Sequence, residues 1–113
     1  MKVSLVMPTI NVTTELELFL KSLKTQTYRD FELIVVDQNE GNEVFEIVKN
    51  YEEEFKIKYA KSDEKGLSLN RNRGLVLMEG EIVGFPDDDC EYQPDTLEKV
   101  VAFFEKKKDY RIY

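Results

Sequence analysis

Phe31-Glu32-Leu33-Ile34-Val35-Val36-Asp37 carries the most informative run in this chain. Leu33 to Val36 are four apolar residues in a row, so a strand built from them has no polar face. Such a strand needs cover on both sides, which a parallel sheet between helices provides. On its N-terminal side, Val3-Ser4-Leu5-Val6-Met7 is a second strand candidate, stopped by Pro8. Between the two, Glu15 to Lys24 sets Leu16, Phe19, Leu20 and Leu23 at i, i+3, i+4 and i+7, one helical stripe. Thr13 or Thr14 can cap it.

The alternation continues toward the C-terminus. Val44, Ile47, Val48 and Tyr51 repeat the helical stripe on a segment running to about Glu54. Phe55 to Ala60 alternates apolar and charged residues, as a strand with one wet side does. Ser68 to Met78 reads as a helix, with Gly66 before it and Gly80 after it. Glu81 to Phe85 is the fourth strand. Pro94 opens a last helix with the stripe Leu97, Val100, Val101 and Phe104, and Lys106-Lys107-Lys108 suits its final turn. Asp109-Tyr110-Arg111-Ile112-Tyr113 reads as the start of another strand. The expected fold class is α/β, three layers (α/β/α) around a mainly parallel sheet, in a single domain over residues 1–113. The strand-like end points to truncation at the C-terminus.

Composition limits the chemistry. Apolar residues are 42% of the 113, enough for one core and too many for disorder. A net charge of −7 argues against nucleic acid or an anionic membrane as the main partner. Histidine is absent and cysteine occurs once, at Cys90. Ser-His-Asp and Cys-His catalysis, His-based metal sites and an internal disulfide are therefore excluded, and any metal must sit on oxygen. No signal-peptide pattern and no membrane-length apolar run is present, so the expected location is cytoplasmic. Asn11-Val12-Thr13 is then a chance sequon.

In a parallel sheet, ligands bind beyond the carboxyl ends of the strands. The polar residues there are Thr9 and Asn11, Asp37, Ser62 and Asp63, and Asp87-Asp88-Asp89. Three consecutive carboxylates repel one another, and a site for Mg²⁺ or Mn²⁺ with phosphate oxygens would relieve that. An acidic turn ahead of the last helix accounts for them equally well. Asp37 reads either as an acceptor for a ligand base or sugar, or as a turn former with Gln38, Asn39, Glu40 and Gly41. Thr9 and Asn11 carry the same two readings. In Gly66-Leu67-Ser68-Leu69-Asn70-Arg71-Asn72-Arg73-Gly74, Gly74 permits close packing of helix on sheet. Arg71 can aim a guanidinium at a phosphate or form a surface ion pair. Asn72 can bridge loop backbone groups, and Arg73 points to solvent. Cys90, among acids, is a passive loop residue. Tyr92 and Phe85 read as packing residues.

Four segments, in this order and spacing, resemble the N-terminal half of a family 2 glycosyltransferase of the GT-A fold. They are Val3 to Asn11, Gln26 to Asp37, Gly66-Leu67-Ser68 leading to Arg71-Asn72-Arg73-Gly74, and Gly80 to Asp89 followed by Pro94-Asp95-Thr96-Leu97. The resemblance implies a nucleotide-sugar donor site for a UDP-, GDP- or dTDP-sugar, with Pro8, Thr9, Asn11, Asp37, Arg71, Asp87 and Asp88 as its contacts. It also implies Mn²⁺ or Mg²⁺ on a DXD motif, with Asp89 and Asp87 as ligands, and transfer with inversion to a saccharide or lipid-linked acceptor. A lipid-linked acceptor would add a peripheral position at the cytoplasmic membrane face. Ile10 stands where an aromatic is frequent, Gln38-Asn39-Glu40 where Asp-Gly-Ser is usual, Asn70 where a small apolar residue is usual, and Cys90 where a fourth acid is frequent. An inverting transfer needs a carboxylate base. Asp63 and Asp95 are carboxylates without a placed role, and no base is assigned. A non-catalytic nucleotide-binding or interaction module of the same fold is the competing expectation. A phospho-receiver domain would want acids where this chain has Pro8-Thr9. Self-association through a sheet edge or apolar face is a further expectation.

Overall fold

Two strands, β1 (Val3–Thr9) and β2 (Phe31–Asp37), are buried at every residue, as the unbroken apolar run requires. The computed structural model describes residues 1–109. Strand β3 (Lys56–Lys61) flanks β2, and the short β4 (Ile82–Gly84) flanks β1, giving the order β3-β2-β1-β4 with all pairs parallel. The helices are α1 (Thr14–Lys24), α2 (Glu43–Lys49), α3 (Leu67–Leu75) and α4 (Thr96–Asp109). None of them is long and apolar enough to cross a membrane.

Handedness explains the layers. The connections β1-α1-β2 and β2-α2-β3 step across the sheet in one direction, so right-handed crossovers put α1 and α2 on one face. The connection through α3 returns from β3 to β4 in the opposite direction and falls on the other face. The core divides accordingly. Leu5, Met7, Leu33 and Val35 pack with Leu16, Phe19, Leu20 and Leu23 of α1, Val44 and Val48 of α2, and Leu97 and Val101 of α4. Val6, Ile34 and Val36 point the other way, toward Leu75 and Met78.

Several boundaries differ from the sequence expectation. Pro8 lies inside β1, opposite Val36, and does not stop it. Thr9 accepts a bond from Gln38 N–H on the β2 side, so Pro8 faces the other edge, where pairing with β4 has ended at Leu5 opposite Gly84. A missing N–H costs no ladder bond there. Helix α2 stops at Lys49 because Asn50 and Tyr51 donate to carbonyls three residues back and tighten the turn. The same tightening at Leu77 and Met78 ends α3 early. Thr13 occupies the N-cap of α1 without a side-chain capping bond. Pro94 precedes α4 by two residues, and its carbonyl accepts from Thr27 N–H at 2.8 Å. Phe104, expected on the buried stripe of α4, is 42% exposed. Residues 110–113, which hold most of the strand expected after α4, lie outside those described.

Gly74 does what its position in the sequence suggests. A Cβ there would overlap Val6 Cγ1 and crowd Val36 Cγ2 at 3.3 Å, so only glycine lets α3 lie this close to the sheet. Glu32 is the other constraint on that face. It is fully buried, and its carboxylate accepts from Ser4 Oγ (2.6 Å) and Glu79 N–H (2.7 Å) and pairs with Lys58 Nζ at 3.0 Å. Burial alone would raise its pKa. The bonds from Ser4, Glu79 and Lys58 outweigh burial and hold it below the ordinary 4.5.

Two predictions follow from that face. An alanine in an ordinary helix interior gains about 0.5–1 kcal/mol over glycine. Gly74→Ala should instead lose about 1–3 kcal/mol through overpacking, read by urea unfolding. Because the folded pKa of Glu32 is depressed, its carboxylate adds stability in full above about pH 4.5 and loses it as pH falls through the folded value. Unfolding free energy should therefore decline from pH 6 to pH 3, and Glu32→Gln should flatten that decline.

Candidate functional site

All four strands end on the same side, and their last residues feed one set of loops. Beyond β1 and β4 lies a cleft of about 330 Å³ lined by Pro8, Ile10, Gln38, Gly66, Pro86, Asp87 and Asp88, with Lys65 and Leu67 at its wall. Two depressions adjoin it. One is bounded by Asn11, Asn39 and Glu40, the other by Lys61, Ser62 and Asp63, and Gln38 and Lys65 border all three spaces.

The acidic loop is positioned by the end of β1. Ile10 N–H donates to Asp88 Oδ2 at 3.3 Å, and Cys90 N–H closes a turn onto the Asp87 carbonyl. Asn11 follows at φ 60°, left-handed backbone that asparagine tolerates, and its N–H donates to Asn39 Oδ1 at 2.8 Å. Asp87 and Asp89 are exposed and Asp88 is half-buried. Among the described residues, no Lys or Arg nitrogen forms an ion pair with any of the three. Nor do three acidic or sulfur ligands converge closely enough to hold a metal unaided. Hard oxygen donors that lack a cation and fall short of a cage fit a divalent ion shared with a diphosphate, the usual habit of Mg²⁺ and its kin. Burial first, and the Asp87 charge after it, push the Cys90 thiol up.

Asp37 is a carboxylate of the opposite kind. It is fully buried, and both oxygens are engaged. Oδ1 accepts from the backbone and side-chain nitrogens of Asn39, each at 2.9 Å. Oδ2 accepts from the Tyr59 hydroxyl and pairs with Lys61 Nζ at 3.3 Å. Burial works against its charge, yet the Tyr59 and Asn39 bonds and the Lys61 charge prevail and keep its pKa below 3.8. Burial and the same bond raise the Tyr59 hydroxyl. Asp37 thus builds the turn that carries Gln38 and Asn39.

The remaining expected residues divide. Pro8, Asp87 and Asp88 line the cleft, and Asn11 lines its neighbour. Thr9 is fully buried with its Oγ1 unpartnered. Arg71 sets its guanidinium 5.1 Å over the Phe85 ring, beside the start of the acidic loop, with Nε unpartnered. Neither Thr9, Asp37, Arg71 nor Asp89 lines the three spaces. Arg73, expected to point to solvent, is tied to Ser62 Oγ (2.6 Å) and Glu64 (2.9 Å). The bridging of loop backbone expected of Asn72 is done by Asn70, which is fully buried. Asp63 pairs loosely with Arg73 at 3.8 Å and Asp95 with Lys99 at 3.1 Å. Tyr92 packs edge-on against Phe19, as expected of a core aromatic. Lys65 went unmarked in the sequence, where its only signal is a cation directly before the Gly66 turn.

Asp37→Ala should remove a charge that Tyr59 and Lys61 were arranged to hold. We expect a loss of about 1–3 kcal/mol without any ligand present, from the Tyr59 and Asn39 donors left unpaired, measured by thermal unfolding. An unchanged midpoint would release Asp37 from this structural role.

The architecture has close relatives of known kind. S. aureus TarS (residues 1–349), whose structure is in complex with UDP-GlcNAc, superposes with a TM-score of 0.87 at 31% identity, over 94% of this chain and 32% of that one. The mannosyltransferase PcManGT from Pyrobaculum calidifontis, in complex with GDP-Man and Mn²⁺, gives 0.81 at 26% identity, over 88% and 31%. Glycosyltransferase GlyA of Streptococcus pneumoniae is 36% identical over 98 residues, 86% of this chain and 14% of its own length. The chain thus spans a third or less of each of these proteins. The family model described as glycosyl transferase family 2 matches residues 4–112, and the chain belongs to that family.

Proposed function

We propose that the cleft binds the nucleotide-diphosphate part of a sugar donor, as the donor-binding portion of an inverting glycosyltransferase. The observation that carries this reading is the acidic loop, latched by Asp88 to Ile10 at the cleft wall while its carboxylates form no ion pair among the described residues. The UDP-GlcNAc and GDP-Man bound by the two structural neighbours support the ligand class, and the Mn²⁺ of one supports the metal.

In this reading Asp87 and Asp89 hold Mn²⁺ or Mg²⁺ together with diphosphate oxygens. Bound there, the ion supplies Lewis-acid charge against that growing on the departing nucleoside diphosphate. Asp88 keeps the loop against β1. Pro8 lines the cleft and Asn11 the depression beside it, with Thr9 buried between them in the chain, Asp37 holds the turn bearing Gln38, and Arg71 brings positive charge to the root of the acidic loop. The acceptor, a saccharide or lipid-linked saccharide, and the carboxylate base that would deprotonate it are not assigned to residues of this chain. A cytoplasmic setting belongs to the same proposal.

Calorimetric titration with UDP, GDP and dTDP, with and without Mn²⁺, tests the reading. One nucleotide should bind in a metal-dependent way. Asp89→Ala should weaken that binding at least tenfold while moving unfolding free energy by less than about 0.5 kcal/mol, since an exposed loop carboxylate adds little to the core. Unchanged Mn²⁺-dependent affinity in the variant would remove Asp89 from the metal site. Binding without sugar transfer to any acceptor would favour the non-catalytic module.

A further inference from the structure

Two departures from the family's usual residues, Gln38 and Asn70, touch each other. Gln38 is 8% exposed, at the junction of the cleft and both depressions. Its Oε1 accepts from Gly66 N–H at 3.1 Å and from Asn70 Nδ2 at 3.0 Å. A backbone N–H cannot be flipped, so the Gly66 bond fixes which end of the Gln38 amide faces the helix. Asn70 is fixed by the same logic. Its Nδ2 lies 3.0 Å from the Glu64 carbonyl and 2.8 Å from the Gly66 carbonyl, which can only accept. The two donors converge on Oε1, and Gln38 Nε2 makes no hydrogen bond among the described residues. It is the end left for the cleft.

We propose that Asn70 is a positioning residue for the donor cleft, holding the Gln38 amide with its NH₂ outward so that the site reads an acceptor on the nucleoside. The inference rests on the donor-site reading above. With the diphosphate at Asp87 and Asp89, the nucleoside lies against Gln38 and the depressions beyond it. The ligand feature selected is a carbonyl oxygen of the base. An acidic residue at position 38 would offer the reverse polarity, an acceptor for a base N–H. A carboxylate also has two equivalent oxygens, so it would not need Asn70 to orient it. The amide does need it, which is why the two departures belong together.

Gln38→Glu tests the polarity with little change of shape. One carboxylate oxygen can still accept from Gly66 and Asn70, but the outward donor is gone. We expect affinity for the preferred nucleoside diphosphate to fall at least tenfold, with binding of Mn²⁺-pyrophosphate unchanged. Asn70→Ala should weaken the nucleotide severalfold in the parent and have no further effect in the Gln38→Glu background, a non-additive cycle. Gln38→Ala replaces Gln38→Glu if the latter does not fold. Unchanged nucleotide affinity in Gln38→Glu, or additive losses, would overturn the clamp. So would an equal loss for pyrophosphate, which would make the effect structural. A parent that binds nucleotide and loses it in Asp89→Ala, yet keeps it in Gln38→Glu, refutes this proposal and spares the donor site. A parent that binds none of the nucleotides overturns both.

Discussion

Complete burial of β1 and β2 is the constraint from which the rest follows. Fourteen strand positions, seven in a row in each, are buried. Helices must therefore cover both faces, and polar side chains within these strands must be satisfied internally or stand at the ends. Ser4 and Glu32 form one satisfied pair, with Lys58 and the Glu79 amide completing the shell. Asp37 forms another at the opposite end. The demand for cover also forces α3 against Val6 and Val36, which only Gly74 permits.

The carboxylates sort by this accounting. Glu32 and Asp37 are buried, each paired with a lysine and hydrogen-bonded, and held ionised by those partners. Their charge is already used in holding strands and turns in place. Asp87 and Asp89 are exposed, on a loop held by one backbone bond to Asp88, and among the described residues no cation pairs with them. Other exposed acids, Glu17 and Glu91 among them, also lack an ion pair among the described residues, but Asp87 and Asp88 are the ones that line the cleft. That contrast, more than the count of acids, separates a binding loop from structural charge.

Most of the architecture was legible because it rests on periodicity. The α1 stripe of Leu16, Phe19, Leu20 and Leu23 is buried as read, and the run Leu33 to Val36 is the two-sided strand it resembles. What escaped depends on partners distant in sequence. Pro8 reads as a stop unless one knows that β4 has already ended beside it. Phe104 fits the stripe of α4, but the burial of that helix is carried by Leu97 and Val101, and Phe104 stays 42% exposed. At the site, the acidic loop and Asn11 could be marked from the chain alone. Asp37 was marked too, but whether it faces a ligand or its own turn depends on Tyr59 and Lys61, which come from β3. Asn70 looked like a poor helix residue because its reason, Gln38, lies 32 positions away.

Strand order also sets an order in time. Val3 meets Phe31 across one short crossover, and β2 meets β3 across another, but Val3 meets Ile82 only after most of the chain has been placed. Loop-closure entropy makes that last pairing the slowest to form. The cleft straddles this late seam, with Pro8 and Ile10 on one side and Pro86, Asp87 and Asp88 on the other. Ligand recognition and the closing step of folding therefore coincide. A chain that has assembled β1, β2 and β3 alone carries most of its core and no cleft, so a ligand bound there as proposed would report the finished fold and slow its opening from the β4 edge.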